Sequence, residues 1–177
     1  MVLNTERLSI RYMEADDWKA LTEIWKDFNG SEFAEYDVPH TTNEIEVREK
    51  IKHWAEVSPG KEHMFFAVCL EQQMIGYIDF HKNNDGYECG YCFHSRYQGM
   101  GYAKESLAAL MTWLAGRDPM RFTAGTALKN LPSVRLLHSL GFQKIGEEKV
   151  SFYQDKNGND IYFDGGIFAV YFKGTTP

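Results

Sequence analysis

Two kinds of spacing divide this chain. Residues 8–13 alternate apolar and polar side chains, as a strand with one buried face does. Asp16 then stands where a helix cap belongs, ahead of Trp18, Leu21, Trp25 and Phe28, which fall three or four apart on one helical face. A second helix starts at Thr41 or Asn43, each followed three residues later by a Glu, and it buries Val47, Ile51 and Trp54. The link between the two helices contains Phe33, Glu35, Tyr36, Asp37 and Pro39.

Runs rich in aromatic and branched residues follow at 64–70, 74–81 and 87–94, separated by Glu71-Gln72-Gln73 and by Asn83-Asn84-Asp85-Gly86. They predict an antiparallel meander. Helical spacing returns with Leu107, Leu110, Met111 and Leu114 and ends at Gly116, and residues 121–127 make a short strand. Asn130 caps a further helix carrying Val134, Leu137 and Leu140, which Gly141 stops. Residues 142–153 and 160–172 form a long hairpin around Asn157-Gly158. The order β-α-α-β-β-β-α-β-α-β-β describes a mixed α/β sheet with helices on both faces.

A length of 177 residues without repeats or a Pro/Gly/Ser linker predicts one domain, residues 1–177, burying roughly 70% of its unfolded surface. No stretch approaches the ~20 apolar residues of a membrane span, and the first residues lack the layout of a secretory signal. The expectation is a cytoplasmic protein that engages no membrane. A net charge of -6 argues against a nucleic-acid partner and is compatible with a cationic substrate such as an amine.

The segment Arg96-Tyr97-Gln98-Gly99-Met100-Gly101-Tyr102-Ala103 joins a strand end to a helix start. A helix start exposes free N–H groups and the positive end of the dipole, and glycines let an anion approach that backbone. A dinucleotide fingerprint would need a third glycine at Lys104, and a P-loop would need Gly-Lys-Ser/Thr. A tight turn without ligand satisfies the local pattern equally.

The segment Gln98-Gly99-Met100-Gly101-Tyr102-Ala103 resembles the coenzyme loop of the GNAT superfamily of N-acetyltransferases, with its Gln/Arg-x-x-Gly-x-Gly/Ala pattern. The likeness spans nearly the whole chain. Asn130-Leu131-Pro132-Ser133 opens the expected helix and Gly141-Phe142 closes it, while Thr5-Glu6-Arg7-Leu8-Ser9-Ile10-Arg11 and Glu88-Cys89-Gly90-Tyr91 are similar to the RimJ/RimL branch. That branch acetylates protein N-terminal amines or small amines. The resemblance implies a mostly antiparallel twisted GNAT sheet, acetyl-CoA as co-substrate, and a monomer or homodimer. It implies that backbone amides from Gln98 through Gly99, Met100, Gly101 and Tyr102 to Ala103 hold the coenzyme pyrophosphate. The pantetheine arm would run beside Phe93 and Ser95, where two strands splay apart, with Asn130 bonding its amides.

Acetyl transfer needs a neutral amine and a proton for the departing thiolate. Strand alternation puts Glu88, Gly90, Cys92 and His94 on one face, so Glu88 is the first candidate base and a carboxylate to attract the amine. An exposed strand Glu paired with a Lys explains it as well. His94 is the reserve base. Many family members place a tyrosine acid seven residues after Asn130, where this chain has Leu137, so the proton falls to Ser133, to water or to Tyr102. A merely capping Asn130 followed by a first-turn Ser133 reads equally well. Tyr36 is a candidate substrate wall, by analogy with the family. Phe163, Phe168, Tyr171 and Phe172 belong to the core or to a dimer surface. Cys89 and Cys92 have redox-motif spacing, but three apart on a strand they point to opposite faces, and with only Cys69 left no four-cysteine zinc site is possible. Packing roles and no metal are expected. The alternative to an enzyme is a non-catalytic acetyl-CoA-sensing module on the same fold, and a nucleotide-binding oxidoreductase is disfavoured by the missing glycine.

Overall fold

Alternation along one central strand shows how the chain is layered. In the computed structural model, which describes residues 2–116 and 118–173, Met64, Phe66 and Val68 face one hydrophobic cluster while Phe65, Ala67 and Cys69 face another. These residues belong to β3 (His63–Leu70), in a sheet that also contains β1 (Val2–Asn4), β2 (Ser9–Tyr12), β4 (Gln73–Asn83), β5 (Gly86–Phe93), β6 (Met120–Ala127), β7 (Gln143–Gln154) and β8 (Asp160–Phe172). The spatial order is β1-β2-β3-β4-β5-β6-β8-β7. Among the described residues only β5 and β6 pair in parallel; every other neighbouring pair is antiparallel.

One face of the sheet carries α1 (Trp18–Asn29) and α2 (Glu44–Val57), which bury Leu21, Ile24, Trp25, Val47 and Ile51 against Phe65 and Tyr77. The other carries α3 (Tyr102–Ala115) and α4 (Leu131–Ser139), which bury Leu107, Leu110, Met111 and Leu137 against Ile10, Phe66, Phe80 and Phe122. A two-faced sheet of this kind must be apolar on both sides, which is why β3 reads as a continuous hydrophobic run. No described helix is long and apolar enough to cross a membrane.

Local chemistry sets the helix starts. Of the two candidate caps for α2, Asn43 is used: its side-chain oxygen accepts from Ile45 N at 3.0 Å and Glu46 N at 3.3 Å. The cap expected at Asp16 lies one residue later, because a turn of 3-10 helix over Ala15–Asp17 precedes α1. Asp17 is engaged elsewhere, accepting from Arg11 Nη1 and Nη2 at 2.6 Å each and from Glu14 N at 2.9 Å. β1 is an addition to the expected order.

The feature that shapes the site is where β5 and β6 part. They share three rungs, Gly86↔Arg121, Tyr87↔Phe122 and Glu88↔Thr123. A Cβ at Gly86 would lie 1.8 Å from the Arg121 carbonyl oxygen, so only glycine permits that closeness. Past Glu88, β5 stays bonded to β4 and β6 to β8, and a wedge opens between them. Because α3 follows β5 and α4 follows β6, both helix starts lie at the carboxyl ends of the parting strands, where open sheets bind ligands.

Candidate active site

The loop into α3 is built to leave amides free. Gln98 folds back and donates from Nε2 to the Phe93 carbonyl at 2.9 Å. Gly99 and Gly101 have φ of 74° and 84°, a region that side chains rarely adopt. The first helical bond is Glu105 N to Gly101 O, and the N–H groups from Gly99 to Ala103 meet no acceptor among the described residues. Lys104 and Arg135 bring positive charge to the same cavity. Arg7 buttresses the loop from outside: it donates from Nη1 to the Met100 carbonyl at 3.0 Å, pairs with Glu105 at 2.6 Å and stacks on the Tyr102 ring at 4.5 Å. Burial opposes charge on Glu105, but bonds from Thr5 and Arg7 outweigh it and hold the carboxyl below its ordinary value. On the other flank, Ser95 donates from both N and Oγ to Asp27 at 2.7 Å, fixing the loop to α1.

Two cavities meet in the wedge. The larger, about 810 Å³, runs from the loop along Cys92 and Phe93 to α4. The smaller, about 310 Å³, lies among Tyr36, Asp37, Gly90, Glu148 and the end of β6. Phe28, Phe33, Tyr91, Asn130 and Ser133 line both. At this junction the Tyr91 hydroxyl lies 2.6 Å from Ser133 Oγ, and Asn130 accepts from Ser133 N at 3.2 Å. Burial pushes the Tyr91 phenol well above its ordinary value, so it remains a proton carrier at neutral pH.

Most of the residues singled out from the sequence come together here. Phe93, Ser95, Gln98, Gly99, Gly101, Tyr102 and Ala103 line the larger cavity, as do Asn130 and Ser133, and Tyr36 lines the smaller. Met100 does not: its side chain is exposed and its carbonyl is turned to Arg7. Glu88 also lines neither cavity. It occupies the last closed rung, opposite Thr123 on β6 and His81 on β4, so the strands have not yet parted where it stands. His94 is used as a cap, accepting from Arg96 N at 3.3 Å, and lines neither cavity.

Several lining residues had no signal in the sequence. Tyr91 could be found only by knowing that β5 faces α4 across the wedge, and Glu148 only by knowing that β7 lies beside β8. Glu148 is opposite Gly165, and both line the smaller cavity. Phe163 lines the smaller cavity, whereas Phe168 and Phe172 pack in the core and Tyr171 is exposed. Cys89 and Cys92 do lie on opposite faces; burial raises both thiols, Cys92 to about 12, which leaves them inert.

Comparison with known proteins points to one family. The sequence model of a family described as an acetyltransferase (GNAT) domain matches residues 7–143. The chain is 29% identical over 168 residues to the uncharacterized N-acetyltransferase YnaD of Bacillus subtilis, covering 92% of this chain and 95% of that protein. It is 30% identical over 150 residues to the uncharacterized N-acetyltransferase p20 of Bacillus licheniformis, covering 81% and 83%. Among solved structures it shares its fold with RimL, a ribosomal L7/L12 alpha-N-protein acetyltransferase in complex with coenzyme A, at a TM-score of 0.80, 21% identity and coverage of 97% and 98%. A GNAT-family acetyltransferase from Bacillus anthracis aligns at a TM-score of 0.74 and 26% identity, covering 97% and 98%.

Proposed function

The chain belongs to the acetyltransferase (GNAT) domain family, and from that premise we propose that it moves the acetyl group of acetyl-CoA to a primary amine by direct attack within a ternary complex. Acetyl-CoA, when bound, supplies the activated thioester. Everything else is the work of side chains and backbone already described.

The observation that carries this reading is the meeting of the two cavities at the Tyr91–Ser133 pair, with the free amides of α3 at the far end of the larger one. Those amides, the helix dipole and Lys104 and Arg135 fit a diphosphate, which needs several donors and positive potential at once. The edge of β5 beyond Glu88, unpaired on the β6 side, offers main-chain groups to the amides of a pantetheine arm. Asn130 borders the same path. The acceptor enters through the smaller cavity, where Tyr36 forms part of the wall.

Glu148 is the carboxylate we assign to take the amine's proton. It faces the acceptor cavity, as Asp37 does, but Asp37 is engaged by Val38 N at 2.7 Å and by His40 at 3.5 Å. Glu88, on the last closed rung, lines neither cavity. The Tyr91–Ser133 pair gives a proton to the sulfur that leaves. Leu137, where many relatives carry a tyrosine acid, is fully buried and donates nothing; the hydroxyl pair one turn earlier stands in for it.

The relatives leave the acceptor open: one neighbour is described as modifying the N-terminal serine of a ribosomal protein, another as an immunity acetyltransferase bound to acetyl-CoA and AMP. A protein amino end or a small-molecule amine is therefore the acceptor we test. Release of coenzyme A thiol is followed with acetyl-CoA and a panel of amines and peptides. Turnover is expected with at least one; tight acetyl-CoA binding without turnover on any acceptor would make the protein a sensing module instead.

A further inference from the structure

Among the described residues the larger cavity holds charges of both signs, whereas the smaller holds carboxylates alone, a difference that bears on the acceptor. The larger cavity carries Lys104 and Arg135 beside Asp27 and Glu32, with Asp27 taken up by Ser95. The smaller carries Asp37 and Glu148 and, among the described residues, no Lys, Arg or His lines it. Its outer wall is a series of rings: Tyr36 meets Phe163 edge-on at 5.2 Å, and Phe163 meets Phe152 at 5.8 Å. These rings come from the loop after α1, from β8 and from β7. The loop is tied to the hairpin by Tyr153, whose hydroxyl donates to the Ala34 carbonyl at 3.1 Å, so the wall is a built surface.

Resting on the acetyl-transfer reading, we propose that the acceptor is a primary amine carried on an aromatic or apolar body with no acidic group beside the nitrogen. An ammonium approaching this cavity meets two carboxylates and a wall of aromatic rings, whose π faces attract cations. An apolar body gains by leaving water against Phe152 and Phe163. A carboxylate or phosphate next to the amine would be stripped of water with no cation to receive it and two negative side chains facing it. Free amino acids and phosphorylated amines are excluded on this ground. An arylalkylamine and a peptide whose first residue is apolar both satisfy the requirement, since the peptide's first carboxyl is tied up in an amide.

Three acceptors separate these ideas: phenethylamine, phenylalanine and phenylalaninamide, the last standing in for a peptide amino end. Phenethylamine is the stronger base, so a preference for it over phenylalanine does not arise from more free amine. Coenzyme A release should give phenethylamine a kcat/KM at least about thirtyfold above phenylalanine, the scale of one unpaired like-charge contact in a partly buried site. Phenylalaninamide is the weakest base of the three, so rates are compared per free amine; on that scale it should also exceed phenylalanine, and its ratio to phenethylamine tells whether peptides or free amines fit better. Phe163→Ala should reduce the preference for phenethylamine over ethylamine about tenfold, the effect of losing apolar contact in a pocket. Equal use of phenylalanine and phenethylamine would overturn the proposal. So would turnover confined to spermidine or glutamate, a result that leaves acetyl transfer itself standing. No turnover with any amine also overturns it, and calorimetry with acetyl-CoA then decides the rest: absence of binding removes the acetyl-transfer reading as well.

Discussion

Replacing Gly101 by Ala is the perturbation whose consequence can be worked through most fully. Gly101 caps α3 at φ 84°, and a side chain there costs about 1–2 kcal/mol. A Cβ would also lie 3.3 Å from Arg7 Nη2, pressing on the guanidinium that holds the Met100 carbonyl. In the free protein the variant loop relaxes away from this conformation, and coenzyme binding must restore it. The cost therefore appears in the affinity, as a rise in Kd for acetyl-CoA of about 5- to 30-fold. Gly158→Ala is the control: φ there is 82°, nothing lies within 4 Å of the added Cβ, and the position is a hairpin turn remote from the cavities. Gly158→Ala should leave acetyl-CoA affinity unchanged in isothermal titration calorimetry, whereas Gly101→Ala, whose loop sheds its strain by relaxing, should melt less than about 4 °C below wild type yet bind more weakly. A Gly101→Ala protein that melts close to wild type, its loop therefore relaxed, yet binds acetyl-CoA within twofold of wild type would refute the assignment of the phosphate site to this loop.

Glu148→Gln should lower kcat about a hundredfold with little change in acetyl-CoA affinity, while Glu88→Gln should cost less than about threefold in steady-state assays. Tyr91→Phe and Ser133→Ala each remove one hydroxyl of the 2.6 Å pair and should each slow turnover by about a hundredfold, with the double variant no slower than the worse single one. His81, bonded to Asp79 at 3.1 Å, is held above its ordinary value by that bond against the opposing effect of burial. Its raised folded value means that the stabilisation is fully present below the unfolded value near 6.5 and is lost as pH rises through the folded one. Thermal melts should therefore show a larger gap between wild type and His81→Gln at pH about 6 than at about 9.

How far the sequence led depended on the range of the interactions involved. Residues 8–13, 64–70 and 74–81 are read correctly as strands because alternation is local, and α3 and α4 because their apolar stripes and caps are local. The loop from Gln98 to Ala103, with its free amides, was legible for the same reason: two glycines and a helix start are local features. β1 escaped because three residues hold too little pattern to distinguish a strand from a tail. The position of Glu88 was beyond reach, since alternation assigns the face of a strand but not the rung at which its neighbour departs. Tyr91 and Ser133 lie on a strand and a helix 42 residues apart, and only the tertiary wedge makes them one group. Glu148, Phe152 and Phe163 reach the smaller cavity because the last hairpin folds over it, a long-range fact that their own segments do not encode.

A crystal structure of this protein with coenzyme A would locate both the diphosphate and the thiol. The account places the diphosphate within hydrogen-bond distance of the amides from Gly99 to Ala103 and the thiol between Tyr91 and Ser133. A diphosphate bound away from the start of α3, or a thiol directed away from that hydroxyl pair, would contradict it.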